Sequence, residues 1–395
     1  MTNLELAKKY EDYIISMRRY FHENPELSDH EDRTVERLSK ELTDMGIEHT
    51  VIPHGGILAK IKGPREKDNG KTVLLRADID ALPVQESDNV LFDKPRTVKS
   101  KNDGVMHACG HDGHMAALLG AAAILSESKD FNGTVRFIFQ PDEETGHGAM
   151  NMLNDGFKER FPVDEIYGFH NMPLLPEGLV ATRNGGIMAS EDNFTITIKG
   201  EGGHAAQPHR TKDPLVTASE IILGIQSIVS RNIDPTSSSV ISLTEIFSDG
   251  AHNVIPSTVI IKGDTRSTDP VSQKRVEKRM REICQSICAM NESDCEFEFT
   301  YEFIPTVNDP AYVKHLVEAA EKVVGADRVD ANTPAPLTSE DFGRFLKEIP
   351  GCFFFIGTGK SPDEPSLHNP KYIFNDNILK TAADILVQLV RDRLK

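Results

Sequence analysis

Val105-Met106-His107-Ala108-Cys109-Gly110-His111-Asp112-Gly113-His114 gathers three kinds of metal-binding group, at His107, Cys109, His111, Asp112 and His114. A packing core has no reason to collect imidazole, thiol and carboxylate so densely. Two readings meet here. In one, these are polar loop residues opening a helix over 114–126, with Met115, Leu118, Leu119 and Leu125 as its buried face. In the other, the helix start is a chemical site: its free N–H groups support negative charge, and a nearby metal would hold Cys109 as thiolate.

The flanking chain alternates in period. Leu6, Tyr10, Tyr13, Ile14, Met17 and Phe21 fall at helical spacing before Pro25, and Val35, Leu38, Leu42 and Met45 mark a second helix. Residues 57–61 and 72–79 read as strands, the latter leading into Asp78-Ile79-Asp80. After the 114–126 helix, residues 134–140 form a strand that releases Asp142-Glu143-Glu144, and 165–170 a short strand ending at His170. Such alternation predicts an α/β domain, a mixed sheet flanked by helices, with its site on strand-end loops.

Residues 194–199, 214–231, 239–247, 258–265, 271–290 and 295–303 read β, α, β, β, α, β, the ferredoxin-like order. Beyond Pro305 come helices near 311–324 and 341–346, a strand at 352–356 and a helix from Asn377. The expected organisation is one domain of residues 1–190 plus 305–395, interrupted by a βαββαβ unit over 191–304.

Composition bounds the partners. A formal charge of −17 argues against nucleic acid, which needs clustered Lys and Arg. No apolar run approaches the roughly 20 residues that span a bilayer. The five cysteines form no paired framework and the N-terminus is too charged for a signal peptide, so a cytoplasmic protein is expected. Gly359-Lys360-Ser361 is not a phosphate loop, because Phe354 stands where its first glycine belongs and Pro362 and Pro365 block the helix.

Adjacent at a strand end, Glu143 and Glu144 are expected to diverge, one to bind a metal and the other to face a water activated by it. The alternative is a solvated acidic turn. His170 and His368 are each explicable as surface or hydrogen-bonded histidines. With Cys109, His111 and Glu144 they make five N, O and S donors, more than one tetrahedral zinc needs, and suit two metals.

All of these residues but His368 lie within motifs spread through the chain: Arg-Ala-Asp-Ile-Asp-Ala-Leu-Pro-Val-Gln-Glu from Arg76, Met-His-Ala-Cys-Gly-His-Asp-Gly-His from Met106, Phe-Gln-Pro-Asp-Glu-Glu from Phe139, Gly-Phe-His from Gly168, Gly-Glu-Gly-Gly-His-Ala-Ala-Gln-Pro-His from Gly200 and Thr-Ser-Glu-Asp-Phe from Thr338. Together they resemble the M20 family of metal-dependent amidohydrolases and peptidases, in its aminoacylase-like branch of N-acyl-amino-acid, hippurate and auxin-conjugate hydrolases.

The resemblance implies that Cys109, His111, Glu144, His170 and His368 hold two divalent metals, zinc first, with manganese, cobalt or nickel as alternatives. It implies that Glu143 is the general base, that the inserted unit is a lid that forms a homodimer or higher oligomer, and that His204 steadies the oxyanion of a neighbouring subunit. Spacing alone would make His204 a turn residue. Asn253 and Arg266 match substrate-binding lid positions; an ion pair is the other reading of Arg266. Where the wider family has His-x-Asp this chain has Asp78-Ile79-Asp80, so Cys109 replaces a donor and Asp80 is expected to orient a ligand. Asp142, Thr145 and His147 depart from the branch's glycine-rich segment and bear on substrate choice. The expected activity is hydrolysis of the amide of an N-acyl amino acid or small peptide; the rivals are a di- or oligopeptidase and a non-catalytic metal-binding or thiol sensor.

Overall fold

A computed structural model describes residues 3–64 and 70–395. The chain divides into two compact units, one of residues 1–187, 307–334 and 341–395, the other of 188–306 and 335–340.

The first unit is built on an eight-stranded mixed sheet. Its spatial order is Glu48–Val51, Ile57–Lys62, Thr134–Gln140, Thr72–Asp78, Glu165–Pro176, Gly351–Gly359, Val180–Ala181 and Val329–Asp330. The central strands Thr134–Gln140, Thr72–Asp78, Glu165–Pro176 and Gly351–Gly359 run parallel. Their near-continuous apolar runs, such as Cys352 to Ile356, suit strands buried on both faces. Asp78 pairs with Gln140, and Arg76 with Gly168. Continuing that register by two residues sets His170 level with Asp78. The carboxyl ends of these strands, where open α/β sheets bind ligands, therefore release Asp80, Glu143 and Glu144 beside His170.

The helix of the opening stretch runs His111–Ser128, so it starts three residues before the expected 114 and includes Asp112 and His114. It is buried all round from His111 to Leu125 rather than along one face. It packs on the helices Asn3–Glu23 and Leu379–Arg393 and on the Thr72–Asp78 strand. Gly120 makes the first approach possible, since a Cβ there would lie 2.5 Å from Ile14 Cδ1. Each fully buried Leu or Ile on this helix contributes about 1.5–3 kcal/mol. His170 also differs from expectation: its strand continues to Pro176, so it is an interior residue of a long strand, not a terminus.

The second unit has an antiparallel sheet in the order Ser239–Ser248, Thr258–Ser267, Glu191–Lys199, Asp294–Phe303. Helices Pro214–Asn232 and Pro270–Met290 pack on it through Ile221, Ile225, Val276 and Met280 against Phe194, Ile196 and Ile198. Both helices start at an Asp-Pro step. Asp213 and Asp269 accept hydrogen bonds from the first free N–H groups, and proline sits where no N–H is needed.

Candidate metal centre

Cys109, His111, Glu143, Glu144, His170 and His368 all belong to the first unit, and their side chains converge. Gly110 makes the approach possible. It has φ +95° at the helix start, and a Cβ there would lie 2.4 Å from Asn171 Oδ1. Cys109 Sγ is 3.4 Å from His170 Nε2 and 3.4 Å from His368 Nε2. His368 Nε2 is 3.6 Å from Glu144 Oε2, and His111 Nε2 is 3.8 Å from Glu144 Oε1. Among the described residues five donor groups emerge: Cys109 with His111 and His170, Cys109 with Glu144 and His368, His111 with Glu143 and Glu144, Asp78 with His111 and His114, and Glu143 with Glu340 and Asp341; the first two hold the expected ligands. Cys109 is common to both. His368 is the exposed member, carried at φ +64° on a loop whose N–H donates to Ala108 O at 2.9 Å.

The imidazoles are oriented by their far nitrogens. His111 Nδ1 donates to Asp80 O at 2.8 Å, and His170 Nδ1 to Asn171 O at 2.8 Å. A carbonyl can only accept, so each ring keeps its proton on Nδ1 and turns the Nε2 lone pair towards the cluster. His111 Nε2 and Glu144 Oε1 are buried with no hydrogen-bond partner. Orphaned buried polar atoms are costly unless something completes them, and a cation fits this donor set.

Burial, then the carboxylates of Glu144 and Glu143, push the Cys109 thiol well above its ordinary range, so the helix start alone does not make it a thiolate. Burial also raises Glu144 to about 7. Burial opposes the charge on His111, but Asp78 and Asp80 outweigh it and lift that ring to about 10, so its Nε2 lone pair becomes available only when a cation displaces the second proton.

Asp80 joins two of these residues to Ser28. Its backbone carbonyl accepts from His111 Nδ1, and its Oδ2 accepts from Glu144 N at 3.0 Å and Ser28 Oγ at 2.7 Å. Burial works against its charge, but the bond to His111 keeps its pKa low.

Glu143 and Glu144 do not diverge as strand neighbours would. Glu143 Oε2 is 3.9 Å from His111 Nε2, so both carboxylates approach the same ring. The cause is Asp142, at φ +59°, which replaces strand alternation with a turn. Glu143 Oε1 also accepts from Asp341 N at 3.3 Å.

Beneath them lies a network that the sequence reading missed. The buried Arg76 donates to Gln140 Oε1, Asp78 Oδ2 and Asp341 Oδ1 at 2.8, 2.7 and 2.9 Å. Asp78 accepts from His114 Nδ1 at 2.6 Å, and His114 Nε2 meets Asn171. An arginine inside an otherwise apolar strand was the available signal.

In the second unit, His204 and Asn253 are brought together where Gly203–His204 pairs with Val254–Ile255, and both are exposed. Ala206 N donates to His204 Nδ1 at 3.1 Å, which puts that ring's proton on Nε2. Arg266 is in an ion pair with Glu191 at 2.8 Å and with Asp264 at 2.7 Å. That is the alternative raised for it from sequence.

Residues 74–392 match the profile of peptidase family M20/M25/M40. The chain belongs to that family. Among its M20 relatives, thermostable carboxypeptidase 2 of Saccharolobus solfataricus is 40% identical, over 95% of this chain and 94% of its own. The N-acetylcysteine deacetylase of Bacillus subtilis is 37% identical, over 97% of each chain. The crystal structure of the Bacillus subtilis YXEP protein, described as a dinuclear metal binding peptidase of the M20 family, superposes with a TM-score of 0.83 at 32% identity, covering 98% of this chain and 99% of that one. No described helix of this M20 chain is long and apolar enough to cross a membrane.

Proposed function

We propose that this protein is a binuclear metal-dependent amidohydrolase that cleaves the amide of N-acyl amino acids. The observation that carries the reading is the pair of imidazoles tied back at Nδ1, their Nε2 atoms facing Cys109 and Glu144 with Glu143 alongside. Cys109, His111, Glu144, His170 and His368 would hold two divalent cations. The mixed S, N and O set suits zinc first, with manganese, cobalt or nickel as alternatives. Bound there, the cations would polarise the scissile carbonyl and make a water nucleophilic near neutral pH.

The chain's own residues do the rest. Glu143 takes the proton of the attacking water and delivers it to the leaving nitrogen. Asp80 fixes the His111 ring and the Glu144 backbone. His204, with its proton on Nε2, serves as oxyanion donor for a neighbouring subunit. Asn253 and Arg266 are the substrate-binding candidates, Arg266 exchanging its pairing with Glu191 and Asp264 for the substrate carboxylate. A homodimer through the second unit is supported by its edge strand Ser239–Ser248, where Ile246 and Phe247 are more than half exposed, and by the exposed Leu223 and Val216 of the helix beside it. The reducing cytoplasm suits a thiol ligand.

The N-acetylcysteine deacetylase relative favours acyl amino acids, and the carboxypeptidase relative favours a second reading as a peptidase on the same centre. Metal-loaded protein assayed for amino-acid release from N-acyl amino acids and from dipeptides separates the two. E143Q should abolish turnover while metal content stays at the wild-type value. Unchanged turnover would remove Glu143 from its role, and a wild type that cleaves neither class would favour the non-catalytic sensor.

A further inference from the structure

The turn carrying Glu143 is held from outside the metal centre by the segment linking the first two helices. That segment is itself anchored. Leu27 bridges Ala81, Ala81 N donates to Glu26 O at 2.8 Å, and Glu26 Oε2 accepts from Thr34 N at 2.7 Å. From this brace two side chains reach the centre. Ser28 Oγ donates to Asp80, as described, and Glu31 Oε1 accepts from Asp142 N at 3.0 Å.

Asp142 is where the chain leaves strand geometry, in a backbone conformation that side-chain-bearing residues rarely adopt, and it immediately precedes Glu143. Its carbonyl accepts from Gly148 N at 2.9 Å and its carboxylate accepts from Thr145 Oγ1. Those bonds close the turn on itself. The bond to Glu31 ties the Asp142 backbone N–H to the helix-linking brace.

We propose that Glu31 is a positioning residue for the general base: by accepting the Asp142 N–H it holds the left-handed turn that directs Glu143 towards His111. The proposal rests on reading Glu143 as the base. Glu31 is 5% exposed, and burial, with Asp80 close by, raises its carboxyl to about 8, so glutamine reproduces its shape and its uncharged state. Aspartate keeps the acid but shortens the arm, and alanine removes the acceptor.

The test uses the metal-loaded full-length protein with N-acetyl amino acids and dipeptides, and compares wild type, E31Q, E31D, E31A and E143Q in kcat, KM, bound metal and melting temperature. Displacing a reacting group by a fraction of its bond length is a rate effect, so kcat of E31D and E31A should fall about 10- to 100-fold with KM and metal content little changed. E31Q should stay within roughly threefold of wild type, because it preserves the acceptor. If E31A does not fold, E31D against E31Q decides the matter. The inference is overturned if E31D and E31A keep full kcat, if their loss follows metal content, or if E31Q falls as far as they do. Inactive E143Q beside fully active E31D and E31A would sink this inference alone. An active E143Q, or a wild type that cleaves nothing, would remove the reading beneath it as well.

Discussion

At the scale of the residue, Cys109 decides most, because it joins the group with His111 and His170 to the group with Glu144 and His368. To bind a cation it must lose a proton that burial holds tightly, and Glu144 must lose one near 7. Metal binding therefore releases protons, and affinity should weaken as pH falls from about 8 to about 6. Competition against a chromogenic chelator across that range measures it, and a pH-independent affinity would contradict the donor assignment. C109A should lower bound metal substantially while the chain stays folded. Cys109, His111, Glu144, His170 and His368, which cluster in the structure, stood out in the sequence because imidazole, thiol and adjacent carboxylates are chemically conspicuous, whereas Asp341, which clusters with Glu143, did not. The Arg76, Gln140 and Asp341 network was not legible there. Arg76 and Asp341 stand 265 positions apart, one in a central strand and the other at the start of the Phe342–Glu348 helix, and only the tertiary fold brings them together. The path of Glu143 was misjudged for a related reason, since nothing local announces a left-handed aspartate at position 142.

At the scale of the element, the βαββαβ order and the mixed α/β sheet could be read from alternation and turn residues, although the strand expected at 165–170 runs on to Pro176. The His111–Ser128 helix was harder. Periodicity locates an amphipathic face, but this helix is covered on all sides, and its polar first turn looks like a loop until its partners are known. In the second unit the Glu191–Lys199 strand buries one acid, Asp192, among Gln273, Ser190 and Thr265. Burial outweighs the hydrogen bonds these residues donate and raises its carboxyl to about 6, from 3.8. The folded state thus favours the protonated acid. That contribution is complete below about pH 4 and is lost as pH rises through 6, leaving a cost of about 2–3 kcal/mol at neutrality. D192N should therefore unfold at a higher temperature than wild type at pH 7, with the gap closing towards pH 4. Thermal scans across that interval check it, and a constant gap would mean that Asp192 is not the titrating group.

At the scale of the whole molecule, the chain leaves the first unit and returns to it, and residues 335–340 join the second unit although they lie far along the sequence. The expected interruption ended near 304 and did not include this excursion. Ser339 explains it physically: its hydroxyl donates to Glu191, which also pairs with Arg266, a contact that no local pattern reveals. The same unit leaves apolar side chains along an edge strand, a surface suited to a second copy. F247E should shift the protein towards monomer in light scattering after size exclusion, and an unchanged mass would place the interface elsewhere. The account as a whole depends on two cations among five donors. Anomalous diffraction from crystals grown with zinc, recorded on either side of the zinc edge, tests this most directly. Two peaks bounded by Cys109, His111, Glu144, His170 and His368 are predicted, with the Glu143 carboxylate facing them; an absence of peaks there, or zinc bound only at other residues, would contradict it.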